Sequence, residues 1–85
     1  MVKSVDRALR IIKIVSMRKD GFGVTELAEK LELNKSSVFR LVATLIEHGF
    51  IEQDSVTKKY RLGYQYLELS SKLLDSIDIR KEAAP

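Results

Sequence analysis

The run Lys35-Ser36-Ser37-Val38-Phe39-Arg40-Leu41-Val42-Ala43-Thr44 gathers an ammonium, a guanidinium and several hydroxyls within one short stretch. Those groups bind anions and the edges of bases. Helical spacing places Val38, Leu41, Val42, Leu45 and Ile46 on one side, facing a core. The opposite side collects Ser36, Arg40, Ala43 and Glu47, with Ser37 and Thr44 on one edge and Phe39 on the other. A DNA major groove, about 12 Å wide, accepts one helix whose outer side chains are mostly small. Free N–H groups at the helix start, the Ser36 and Ser37 hydroxyls and the Lys35 ammonium suit phosphate oxygens. Arg40, one turn in, suits a guanine edge, and Thr44 suits a base or a thymine methyl. Phe39 has two readings, packing on a thymine methyl or sugar, or folding back onto the domain. Its place on the border of the apolar stripe favours the second.

Further along, Thr57, Lys58, Lys59 and Arg61 lie in or near a turn between two short alternating segments. A hairpin there sets its cations against the sugar–phosphate backbone beside the groove. Residues 35–61 carry Lys35, Arg40, Lys58, Lys59 and Arg61 against Glu47, Glu52 and Asp54, a weak basic bias where the reading needs it. The net charge of +3 permits a nucleic-acid partner without proving one.

Other chemistries find no support. The chain has no cysteine and one histidine, so thiolate or histidine metal clusters and disulfides are excluded. His48 reads as a partly exposed residue near a helix end. No nucleophile–base pair, carboxylate pair or phosphate loop is visible, and no cofactor is implied. The two glycines of Asp20-Gly21-Phe22-Gly23 belong to no nucleotide fingerprint. With no signal peptide and no apolar run long enough for a bilayer, the chain reads as cytoplasmic and free of membrane.

The elements that must position these groups are legible from periodicity. Eighty-five residues make one domain at most. A first helix is expected over Ser4–Arg18, with Ser4 as N-cap and Val5, Ala8, Leu9, Ile12 and Val15 inward. Ile11 and Ile14 widen that stripe toward the opposite face, fitting either a second copy of the chain or a helix sunk deep in the core. Asp20–Gly23 ends this helix as a turn. A short second helix follows with Thr25 as N-cap. After a break at Glu32-Leu33, Asn34 caps the third helix, which runs from Lys35 to about His48, and Gly49 stops it. Phe50–Asp54 and Lys59–Leu62 read as strands of a hairpin. A fourth helix over 63–76 carries Tyr66, Leu69, Leu73 and Ile77 on one side, with Leu67 and Leu74 as a second apolar line. The fold class is therefore mainly α (α+β): a winged helix-turn-helix with a two-stranded wing and a C-terminal linker helix.

The blocks Val24-Thr25-Glu26-Leu27-Ala28-Glu29-Lys30-Leu31, Lys35 to Leu45, Gly49-Phe50-Ile51-Glu52 and Tyr60-Arg61-Leu62-Gly63 closely resemble the IclR-type transcriptional regulators. The opening Ser4-Val5-Asp6-Arg7-Ala8-Leu9, Leu67-Glu68-Leu69 and the tail Asp78-Ile79-Arg80 are similar as well. The resemblance implies a DNA-binding domain over residues 1–62 and, over 63–85, a linker toward a C-terminal domain that binds a small-molecule effector. That domain is expected to follow the unfinished tail. The implied partner is double-stranded operator DNA, bound as a homodimer, with a tetramer open to the longer protein. The implied DNA contacts fall on Lys35, Ser36, Ser37, Arg40, Thr44, Thr57, Lys58, Lys59 and Arg61, and Thr25 and Phe39 stand beside them as candidate nucleic-acid-binding residues. The dimer interface falls on Ile11, Ile14, Leu67 and Leu74.

Three residues depart from the family pattern. Glu32 stands where glycine is common, which costs about 1 kcal/mol if the backbone there needs positive φ. Asn34 replaces a common proline and caps well. Lys58 replaces a glycine at the wing tip, which implies a looser hairpin. A winged helix used to bind protein is the alternative reading. The retained cations of helix and wing argue against it.

Overall fold

The computed structural model describes residues 1–77. In chain order it holds α1 (Lys3–Val15), α2 (Val24–Leu31), α3 (Lys35–Glu47), β1 (Ile51–Gln53), β2 (Tyr60–Leu62) and α4 (Gln65–Ile77). The Asp78-Ile79-Arg80 block lies outside the described residues.

Local chemistry sets most of the boundaries. Asn34 caps α3 as expected, its Oδ1 accepting the Ser37 N–H at 2.8 Å. Gly49 ends that helix in the left-handed region, at φ 80°. The Gly49 N–H bonds to the Ile46 carbonyl and the Phe50 N–H to that of Leu45, both at 2.9 Å, so the chain reverses in a Schellman turn. The same pattern closes α2 through Glu32-to-Glu29 and Leu33-to-Ala28 bonds of 3.3 and 3.0 Å. There the left-handed residue is Glu32 at φ 56°, so the departure from glycine carries the strain expected of it.

Two caps differ from expectation. Helix α1 starts at Lys3 with Val2 as its N-cap, because the Asp6 N–H already bonds to the Val2 carbonyl at 3.0 Å; Ser4 sits inside the first turn. The first helix also stops at Val15, where Ser16 Oγ donates to the Lys13 carbonyl at 2.6 Å. Gly23, not Thr25, caps α2: its N–H donates to Glu26 Oε1 at 3.2 Å, and its carbonyl accepts from the Leu27 N–H at 3.1 Å. Glycine has no side chain to return the bond, so half of a capping box forms.

The hairpin pairs Ile51 with Leu62, Glu52 with Arg61 and Gln53 with Tyr60, antiparallel. Phe22 adds a bridge on the far side of β2, exchanging N–H···O bonds of 2.9 and 2.7 Å with Tyr60. Sequence periodicity gave only a turn there.

The core is Ile11, Val15, Phe22, Leu27, Leu31, Val38, Val42, Leu45, Ile51 and Tyr60, all buried, with Ala28 at its edge. This corrects the reading of α1. Ile11 has no exposed surface, so it offers no area to a second copy; Ile14 is half-buried against the same core. Val5 and Leu9, expected inward, are 55% and 53% exposed. The apolar stripe spans more than half the helix circumference, and α2 and α3 claim the Ile11–Val15 line at its centre. Val5 and Leu9 are left on the flank. On α4 no residue is buried, and Leu67 and Leu74 are open at 78% and 54%.

Candidate nucleic-acid interface

Helix α3 is held by its inner face, where Val38, Val42 and Leu45 are buried, and α2 lies one tight turn before it. That attachment leaves Lys35, Ser36, Phe39, Arg40, Ala43, Thr44 and Glu47 exposed, with Ser37 half-buried. Asn34 takes one of the orphan N–H groups of the helix start, and those of Lys35 and Ser36 have no intrahelical partner. Some hydroxyls are already occupied: Ser36 Oγ donates to Asn34 Oδ1 at 2.9 Å, and Thr44 Oγ1 donates to the Arg40 carbonyl at 3.3 Å. The expected role of Ser36 as a phosphate donor therefore requires its hydroxyl to turn away from Asn34.

Arg40 forms no ion pair among the described residues. It borders a polar cleft of about 290 Å³ with Ser4, Arg7, Ser37, Leu41 and Thr44. Arg7, half-buried on α1, thus joins Arg40 across the edge of α3. Sequence reading missed Ser4 and Arg7 as site residues, because it used α1 only for its apolar stripe. The crossing of α1 over α3 brings the two guanidinium groups to one cleft, and no local pattern encodes that crossing.

The expected inward packing of Phe39 is not found. Phe39 is 49% exposed on the opposite edge of α3, lining a groove with Thr25, Thr57 and Lys58. Thr25, displaced from its capping role, is exposed at the start of α2 on that same groove.

The wing is tight rather than loose. Asp54 Oδ1 accepts the N–H groups of Val56 and Thr57, each at 2.8 Å, and the Lys58 N–H returns to the Asp54 carbonyl at 2.9 Å. Gln53 Nε2 donates to the Lys58 carbonyl at 3.0 Å. The turn still needs a left-handed residue, and Lys58 supplies it at φ 65°, so the missing glycine shows as backbone strain. Lys58 has no ion pair among the described residues. Arg61 differs: Nε donates to Glu52 Oε1 at 2.7 Å and Nη1 to Asp54 Oδ2 at 3.2 Å. These carboxylates, Glu52 first, raise the Arg61 pKa and spend its charge within the wing. Lys59 lies 4.0 Å from Asp20.

Asp54 is the wing's electrostatic centre. The Thr57 and Val56 N–H groups, then Arg61, hold its carboxyl at about 2, below its ordinary 3.8. A depressed carboxylate contributes stability that is present above pH 4 and lost as pH falls through 4 toward 2. The Val56 and Thr57 amide resonances are expected to titrate with a midpoint near pH 2. A midpoint near the ordinary value would remove Asp54 from this role. Glu26 is likewise lowered, first by the Gly23 N–H and then by Arg18, whose guanidinium bonds it at 2.9 Å and lies 3.9 Å from the Phe22 ring centroid.

A short helix, a tight turn, a second helix with an open polar face, and a hairpin beside it define the winged helix-turn-helix class of DNA-binding domains. Residues 4–55 match the IclR helix-turn-helix domain. The chain belongs to the IclR family of transcriptional regulators, a DNA-binding and non-enzymatic class. It is 35% identical over 83 residues to the HTH-type transcriptional regulator XynR of Escherichia coli, covering 98% of this chain and 33% of that protein. It is 29% identical to the glycerol operon regulatory protein of Streptomyces coelicolor, covering 96% and 32%. Among solved structures, Pseudomonas aeruginosa HmgR aligns with a TM-score of 0.81 at 33% identity, over 96% of this chain and 35% of that one. The chain thus spans about a third of the length of these relatives. Among the described residues no helix is long and apolar enough to cross a membrane, and no group of side chains is placed to hold a metal ion.

Proposed function

We propose that this chain is the operator-reading part of a ligand-responsive regulator acting in the cytoplasm, with α3 seated in the major groove. Residues 1–62 form the reading unit, and 63–85 lead toward a C-terminal domain whose small-molecule effector sets the spacing of two reading units. The observation that carries this is the exposed outer face of α3 and its cations. Lys35 and Arg40 are exposed without an ion pair among the described residues, and Arg7 and Lys58 flank them from α1 and the wing. Lys35, Arg7, Lys58 and the helix start hold phosphates; Arg40 and Thr44 address base edges. Arg61 stiffens the wing that presents Lys58, through Glu52 and Asp54.

The reading unit works as a homodimer, with a tetramer as the larger assembly of the longer protein. A groove of Leu9, Ile12, Phe50, Tyr66, Leu69 and Leu73 lies between α1 and α4, continuous with exposed Val5. That flank, with Leu67 and Leu74, replaces Ile11 and Ile14 as the surface offered to the second copy.

Selection of duplexes from a randomised pool, followed by titration across salt, tests the reading. The expected result is an inverted-repeat motif whose binding constant falls steeply with salt, as release of counterions from contacted phosphates requires. Salt-insensitive or absent binding would favour the protein-interaction alternative.

A further inference from the structure

The outer face of α3 has two chemically different edges. One is polar and cationic, where Arg40 lines a cleft with Arg7, Ser4 and Ser37. The other is built around Phe39. This residue, 49% exposed, lines a groove of about 420 Å³ that runs between the start of α2 and the wing, alongside Val24, Thr25, Thr57 and Lys58. A single exposed ring is ordinary on a protein surface; what sets Phe39 apart is the groove it lines with Lys58. The carboxylate on this groove, Glu26, is already engaged by the Gly23 N–H and by Arg18. The ammonium at its rim, Lys58, is free of ion pairs among the described residues. An occupant that is apolar against the ring and anionic toward Lys58 suits this groove. The C5-methyl of a thymine, standing in the major groove beside the phosphate backbone, has that arrangement.

We infer that Phe39 reads a C5-methyl group, on the wing side of the base pair addressed by Arg40. The half-site is then a guanine-type contact at the α1 edge and a methyl-bearing pyrimidine at the wing edge. This deepens the proposed operator binding and rests on it. Packing of Phe39 on a deoxyribose is the competing outcome, because a sugar contact does not sense the methyl group.

The test uses the whole 85-residue chain and two matched pools of random duplexes, one made with thymine and one with deoxyuridine, which lacks only the methyl. The thymine pool is expected to enrich a T·A pair next to the position that Arg40→Ala relaxes. Changing that one thymine to deoxyuridine in the selected duplex should weaken binding about four-fold per half-site, the effect of burying one methyl-sized group. Placing 5-methylcytosine there should restore affinity relative to cytosine. Phe39→Ala should bind the thymine and deoxyuridine duplexes equally while keeping the parent's salt slope, its fold checked by circular dichroism. The comparison on the parent chain needs no variant, so a poorly folded variant leaves the proposal open to refutation. Equal binding of thymine and deoxyuridine duplexes by the parent overturns the inference, as does a methyl preference that survives Phe39→Ala. In both cases salt-dependent DNA binding remains, so operator reading stands. Loss of binding to every duplex would instead sink operator reading itself.

Discussion

Ile11→Ala is expected to lower the free energy of unfolding by about 2–5 kcal/mol, the cost of removing a large aliphatic side chain from a core that cannot collapse around the void. Ile11 has no exposed surface and shares the core with Val15, Val38 and Val42. Domains of this size are stable by roughly 0.05–0.15 kcal/mol per residue, so such a loss removes a large part of the total. Thermal midpoints of small domains move about 4–8 °C per kcal/mol, which makes the shift plain in a melting curve. Leu9→Ala is the control. With Leu9 53% exposed, its melting point in dilute solution should move little. If the flank of α1 meets a second copy, the Leu9 variant should weaken self-association at high concentration, whereas the Ile11 shift stays independent of concentration. A folded Ile11→Ala chain with an unchanged melting point and lost self-association would restore the interface reading of Ile11.

That pair of residues also shows where the sequence was readable. Features encoded by neighbours along the chain came through: the Asn34 cap, the Gly49 stop, the hairpin and the inner face of α3, apart from Ile46, which is exposed. Each rests on side-chain or backbone chemistry within a few residues. The face of α1 did not come through, because an apolar stripe that wide has no unique centre. Only packing against α2 and α3 decides that Ile11 rather than Leu9 faces inward. The Phe22–Tyr60 bridge and the meeting of Arg7 with Arg40 are likewise products of the tertiary arrangement. Phe39 sits at the border of the stripe, a position that wrongly reads as inward; Val38 and Val42 fill the interior and leave Phe39 exposed. The strain at Glu32 and the special backbone at Lys58 were visible only as departures from a family glycine. The structure supplies the positive φ at both.

Arg40→Ala should weaken binding to the selected operator by about 1–3 kcal/mol for each half-site, and relax preference at one base position, if the guanidinium pairs with a guanine edge. Arg7→Ala, across the same cleft, is expected to act differently. A guanidinium that meets phosphate weakens all sequences alike, and its loss lowers the slope of log K against log salt by about 1 per copy. The two effects separate because they read different parts of DNA, although Arg7 and Arg40 border one cleft of about 290 Å³. The double variant tests whether the cleft acts as a unit. Side chains in contact with one anion couple, so the combined loss should differ from the sum of the single losses, while independent contacts add. Arg40→Ala with unchanged base preference would remove Arg40 from reading and leave it as a backbone cation. An unchanged salt slope in Arg7→Ala would return α1 to a purely structural part. If both variants behave as expected, the operator is approached by three elements of the fold: α3 in the groove, the wing at one edge and the first turns of α1 at the other.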